Sequence, residues 1–99
     1  MKAVVCHQFS KVDDLTLEPL EQPIANKGQV IVNIEAAGVN VPDGLLVQGL
    51  YQMKPPTPFT PGSEIAGTIS ELGEGVNHLK VGQRVLALCM LGGFAEQVA

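Results

Sequence analysis

The sequence predicts a mainly β fold: a compact, partly open barrel of short strands with one or two short helices. Three observations predict it. The chain carries 11 glycines and 7 prolines among 99 residues, too many for a helical bundle and suited to a turn-rich β protein. Its apolar residues fall in short runs, and the clearest of them alternate with the period of two that a half-buried strand requires. Only one stretch pairs helix-start residues with an apolar side. No internal repeat or low-complexity segment appears.

Taken in order, Lys2–His7 is a short β-branched run and reads as a first strand. Ser10–Asp14 is polar and reads as a turn. Leu15, Leu17 and Leu20 are expected to face a core from a second extended segment, which Pro19 and Pro23 confine to an edge. Asn26, Lys27 and Gly28 form a turn cluster. Gln29–Val39 is the clearest strand: Val30, Val32, Ile34 and Ala36 alternate with Ile31, Asn33, Glu35 and Ala37. Asn40-Val41-Pro42-Asp43 opens a helix, with Asn40 able to cap it, Pro42 in its first turn and Asp43 at the positive end of its dipole. Leu45, Leu46 and Leu50 give that helix an apolar side, and Gly49 stops it. At about two turns it must be held by packing, not propensity.

Glu64–Leu72 reads as a strand with Ile65, Gly67, Ile69 and Glu71 on one face. Gly73-Glu74-Gly75 and Lys80-Val81-Gly82-Gln83 are tight turns. The first is no dinucleotide fingerprint, because His78 stands where a third glycine belongs and a strand follows. Arg84–Leu91 is almost unbroken in its apolar character, which predicts a central strand. Gly92-Gly93 turns the chain into an extended Phe94–Ala99.

The chain is organised around Pro55–Gly67. Four prolines fall between Pro55 and Pro61, so this loop is extended and stiff, and Gly62 supplies the freedom to turn at its end. Such a loop should deliver Ser63 and Glu64 together to the mouth of the following strand. It can equally serve as a plain connection between two sheets.

Formal net charge is −4 and mean hydropathy is slightly positive, at +0.22. Disorder is excluded, and an acidic balance argues against nucleic acid and anionic membrane as partners. Cys6 and Cys89 are the two cysteines; far apart and outside any zinc spacing, they suit a reduced compartment. The apolar start is too short for a signal sequence, and no stretch approaches the ~20 apolar residues of a membrane span. The expected location is the cytoplasm.

Several short pieces together resemble one family. They are Ala37-Gly38-Val39-Asn40 with Asp43, Gly49-Leu50-Tyr51, Pro58-Phe59 with Pro61-Gly62-Ser63-Glu64, and Gly67. Gly73 with Gly75-Val76, Val81-Gly82 with Arg84-Val85, and Gly92-Gly93-Phe94-Ala95-Glu96 complete the set. In this order and spacing the whole chain, residues 1–99, resembles the N-terminal GroES-like (alcohol dehydrogenase-like) catalytic domain of the medium-chain dehydrogenase/reductase superfamily, in its zinc-free NADPH:quinone oxidoreductase branch. The resemblance implies hydride transfer from NADPH to a quinone or other conjugated carbonyl, in a cleft between this domain and a Rossmann domain. It implies no metal: Asn40 and Ser63 stand where zinc-dependent relatives carry a cysteine and a histidine, and neither is a good zinc ligand. The acceptor carbonyl would then be polarised by hydrogen-bond donors.

On the same resemblance, Asn40 touches the nicotinamide or the substrate carbonyl, Asp43 stands beside it and Tyr51 lines the pocket. Local chemistry offers plainer roles: a helix cap for Asn40, a dipole partner for Asp43, a loop anchor for Tyr51. Leu45 replaces a tyrosine of several relatives, and Gln83 replaces the usual aspartate of a Val-Gly-Asp-Arg-Val turn. Glu64 reads as a buried carboxylate held by backbone donors or by Arg84. Cys6 and Cys89 read as small core residues, and His7 and His78 as surface residues. The Rossmann cofactor domain has no counterpart in this chain, so an enzyme fragment inactive alone is expected; the alternative is a stand-alone binding or assembly module. An open sheet edge and an apolar patch are expected where a further domain would pack, making self-association as a homo-oligomer an expectation too.

Overall fold

The computed structural model describes all 99 residues. Its strands are β1 (Lys2–Val5), β2 (Thr16–Pro19), β3 (Val30–Ala37), β4 (Glu64–Leu72), β5 (Arg84–Leu88) and β6 (Gln97–Val98), with one helix, α1 (Val41–Val47), and a 3-10 turn at Val12–Asp14. β1 and β2 make a two-stranded antiparallel sheet. The other four form an antiparallel sheet in the order β5-β4-β3-β6. Isolated bridges join Ala3 of β1 to Ala95, two residues before β6, and Cys6, just after β1, to Phe59 in the proline loop. The sheets do not close into a barrel, in keeping with the partly open form the sequence predicts.

β3 and β4 carry the expected pattern with one complication. Their register slips between Ile31 and Val32 and again between Ile34 and Ala36. At the first slip the unpaired residue is Ser70 of β4 and at the second it is Glu35 of β3; Ile31 and Val32, on either side of the first slip, are both buried. Gly67 sits where β3 passes so close that an added Cβ would strike the Asn33 carbonyl.

α1 starts as expected, with Asn40 extended at φ −121° and Pro42 in the first turn. It ends in a Schellman turn: the Gly49 N–H donates to the Leu46 carbonyl at 3.1 Å and the Leu50 N–H to the Leu45 carbonyl at 2.9 Å. That turn carries Leu50 off the helix, leaving it 68% exposed, and Val47 takes the buried place expected for Leu50.

Three further expectations are corrected. Leu17, expected in the core, is 68% exposed, and Leu20 is exposed as well. Leu17 pairs with Val4, on the side of β1 away from buried Ala3 and Val5. β5, expected to be central, is an edge strand, and its apolar run leaves Leu86 and Leu88 85% and 84% exposed. Glu64 is exposed, not buried, and the chain's one ion pair joins His7 to Glu18. The pleat explains this: Ile65 takes the inward position, so Glu64 points out, over the bare backbone of Gly38.

The core runs from Ile31, Val32, Ile65 and Ile69 through Ala3 and Val5 to a cluster of Cys6, Leu46, Val47 and Phe59. Leu15, Tyr51, Met53 and Leu91 pack on that cluster. α1 is thereby fixed against the Pro55–Pro61 loop, and the positions of Asp43 and Tyr51 follow from it.

Candidate functional site

Two hollows compete for attention. The larger, about 630 Å³, lies along the outer face of β3, β4 and β5 and is lined by Ala36, Ala66, Leu86 and Leu88 with Glu64 as its one charged group. The other, about 550 Å³, lies between α1, the Tyr51–Met53 segment, Ser63 and Met90. Of the two, only the second is lined by several polar residues: Asp43, Tyr51, Gln52 and Ser63, beside Leu46, Met53 and Met90. Apolar walls with a few convergent polar groups are the mark of a small-molecule site.

Each wall has a local cause. Asp43 is 5% exposed, and its Oδ2 accepts the Asn40 N–H at 2.8 Å, the carboxylate half of a capping box. The Asp43 N–H in turn donates to the Asn40 carbonyl at 3.0 Å. Tyr51 is half-buried, its ring resting on the Cys6–Phe59 cluster. Ser63 is placed by Gly62, whose φ of +107° only glycine adopts without strain. The Cys89 N–H donates to the Ser63 carbonyl at 2.8 Å, and Phe94 N–H to the Pro61 carbonyl at 2.9 Å. Met90 sits at the centre of a three-residue turn closed by Leu91 N–H on the Cys89 carbonyl at 2.6 Å, and its φ of +62° is uncommon for a side-chain-bearing residue. Beside this wall, burial pushes the Cys89 thiol pKa up, and the Asp43 charge adds to the effect.

Asp43, Tyr51 and Ser63 are thus brought together. Asn40 is not among the lining residues; it stands exposed at the helix cap. Ser63 and Glu64, expected at one place, are separated by the pleat: Ser63 faces this cavity and Glu64 the hollow on the outer sheet face. Gln52, Met53 and Met90 were not singled out from the sequence. Met90 carries no periodic signal, because it reaches the cavity through a chain reversal after β5; Gln52 and Met53, directly after Tyr51, could have been included with it.

No three His, Cys, Asp or Glu side chains gather closely enough to hold a metal ion. A dinucleotide does not fit either. Its phosphates call for cations or an open helix N-terminus, whereas the cavity has an aspartate, no lysine or arginine, and a helix start already filled by that aspartate.

The alcohol dehydrogenase GroES-like domain family matches residues 26–99. The chain belongs to that family. It is 45% identical over 85 residues to an alcohol dehydrogenase of Geobacillus stearothermophilus, covering 86% of this chain and 25% of that protein. It is 36% identical over 98 residues to the quinone oxidoreductase of Rattus norvegicus, covering 97% of this chain and 30% of that protein. The crystal structure of the quinone oxidoreductase from Thermus thermophilus, described with its NADPH complex, superposes with a TM-score of 0.82 at 35% identity, over 99% of this chain and 29% of that one. The chain is an N-terminal domain of the medium-chain dehydrogenase/reductase superfamily, in the zinc-free quinone oxidoreductase branch. It spans about a quarter to a third of the length of these relatives.

Proposed function

We propose that this chain is the substrate-side domain of an NADPH-dependent quinone or enone oxidoreductase that works without zinc, and that it is inactive alone. The observation that carries the reading is one cavity lined by Tyr51, Gln52 and Ser63 together with Leu46, Met53 and Met90. A flat conjugated carbonyl compound needs those two things: apolar contact for its ring and neutral donors for its oxygen. The thioethers of Met53 and Met90 pack well on aromatic faces. Asp43 disfavours anionic acceptors and holds the α1 end of the wall in place.

In this reading the remainder of the polypeptide, a Rossmann domain, holds the reduced nicotinamide that supplies the hydride. The residues here act on the acceptor. Tyr51 and Ser63 donate hydrogen bonds to its carbonyl oxygen and so favour the negative charge that builds there during reduction. Asn40, exposed at the cap, is left to meet the cofactor side. No helix of the chain is long and apolar enough to cross a membrane. Two unpaired thiols support a cytoplasmic setting.

A second reading, a binding or assembly module without catalysis, draws support from the open β5 edge. Titration with duroquinone, followed through the methyl resonances of Met53 and Met90, separates the two. Saturable shifts at those methyls, lost in Tyr51→Ala, are expected for the acceptor site. Shifts absent or confined to Leu86 and Leu88 would overturn it. Mixing the purified chain with NADPH and duroquinone should give no NADPH oxidation; steady turnover would refute inactivity of the chain alone.

A further inference from the structure

The geometry points to β5 as a self-pairing edge: two copies of this chain join their β5 strands antiparallel, with Leu86 on the twofold axis, into one continuous eight-stranded sheet. The direction of the backbone groups comes first. Ile69 N–H donates to the Gln83 carbonyl at 2.9 Å and Cys89 N–H to the Ser63 carbonyl at 2.8 Å. Odd-numbered residues of β5 therefore turn their backbone toward β4. Arg84, Leu86 and Leu88 turn theirs outward, to an edge on which the sheet ends. An antiparallel pair centred on Leu86 sets Leu86 opposite its own copy and Arg84 opposite Leu88 of the other copy. All three positions then use their free N–H and C=O groups.

The side chains select this register over its neighbours. Leu86 and Leu88, the most exposed leucines of the chain, project from the outer sheet face beside Ala66 and Glu64, their β4 partners. In the proposed pair, one cross-strand row reads Glu64, Leu88, then Arg84 and Thr68 of the second copy. Glu64 and Arg84 belong to no ion pair within one copy. Across the pair they lie two strand spacings apart, roughly 10 Å, which the long arginine stem spans by lying over Leu88. Twofold symmetry makes this contact twice, flanking the Leu86–Leu86 contact. Sliding the register by two residues removes both charge contacts and takes Leu86 off the axis. Strand addition of this kind takes its affinity from the backbone and its specificity from alternate side chains.

The test is sedimentation equilibrium of the 99-residue chain from micromolar to millimolar concentration, with residue-resolved amide exchange. A monomer–dimer equilibrium is expected, with amide protection of Leu86 and Leu88 rising with concentration while that of Ala87 stays constant. Arg84→Glu should weaken the dimer at least ~10-fold, because it sets like charges together. Adding Glu64→Arg to it should restore the dimer, since the swapped pair is again opposite in sign. Leu86→Lys should abolish it. A monomer throughout the range overturns the proposal. So does a dimer indifferent to Arg84→Glu, or one that the double swap fails to rescue. None of these readouts involves an electron acceptor, so they stand apart from the acceptor reading.

Discussion

Replacing Gly62 by alanine should be among the most damaging single-methyl changes in this chain. Two separate penalties add. The φ of +107° lies where an L side chain is strained, which costs about 1–2 kcal/mol. The new Cβ would also lie 2.6 Å from the Phe94 backbone nitrogen and 2.9 Å from the Gly93 carbonyl carbon. Both are main-chain atoms held by short bonds, Phe94 N–H to Pro61 and Gly93 N–H to the Gly62 carbonyl at 3.0 Å, so neither side can yield cheaply. Overpacking of this kind costs about 1–3 kcal/mol. The sum, about 2–5 kcal/mol, is a large part of the ~5–15 kcal/mol available to a domain. Gly75→Ala is the control: its φ is +83° and nothing lies within 4 Å of the added carbon, so only the strain remains. Urea unfolding of both variants, read at constant m-value, should show Gly62→Ala losing at least ~1 kcal/mol more than Gly75→Ala. Equal losses would refute the claim that the Pro55–Gly62 loop is locked against the Gly93–Phe94 turn.

Two further outcomes follow from the cavity wall. Asp43→Ala leaves the Asn40 N–H without its acceptor and should cost about 1–2 kcal/mol, while Asp43→Asn, which keeps an acceptor oxygen, should cost less; thermal melts of the two decide the order. Burial raises the Cys6 and Cys89 thiol pKa values above the ordinary 9.0. The unfolded chain therefore gives up these protons first, so stability is full below pH ~9 and falls as pH rises through the raised folded values. Chemical denaturation at about pH 7, 9 and 10.5 should show that decline, smaller in a Cys6→Ala, Cys89→Ala double variant measured against its own neutral-pH value.

What the sequence revealed depended on how local each cause was. The helix start at Asn40–Asp43 and the bounds of β4 were legible because caps, prolines and period-two alternation act over a few residues. Asp43, Tyr51 and Ser63 could be named for the same reason and for their place in recurring motifs. The position of β5 was not legible. Its apolar run says only that Leu86 and Leu88 prefer cover, and whether cover exists depends on chain that lies elsewhere. Leu17 misled because facing direction in a two-stranded sheet is set by its partner β1, a pairing between distant residues. Met90 was invisible because its place in the cavity comes from a backbone reversal that no side-chain pattern announces.

Ser63 and Glu64 are neighbours in the chain, yet they serve opposite sides of the sheet. One peptide group is the whole partition between the cavity beside α1 and the hollow on the outer sheet face. Inserting one residue between Glu64 and Ile65 would move Glu64 into the place of Ser63 and seal a carboxylate inside, whereas deleting Glu64 would put Ser63 at the outer margin. The two surfaces therefore share a single point of failure, and neither can be lengthened, shortened or re-aimed without disturbing the other.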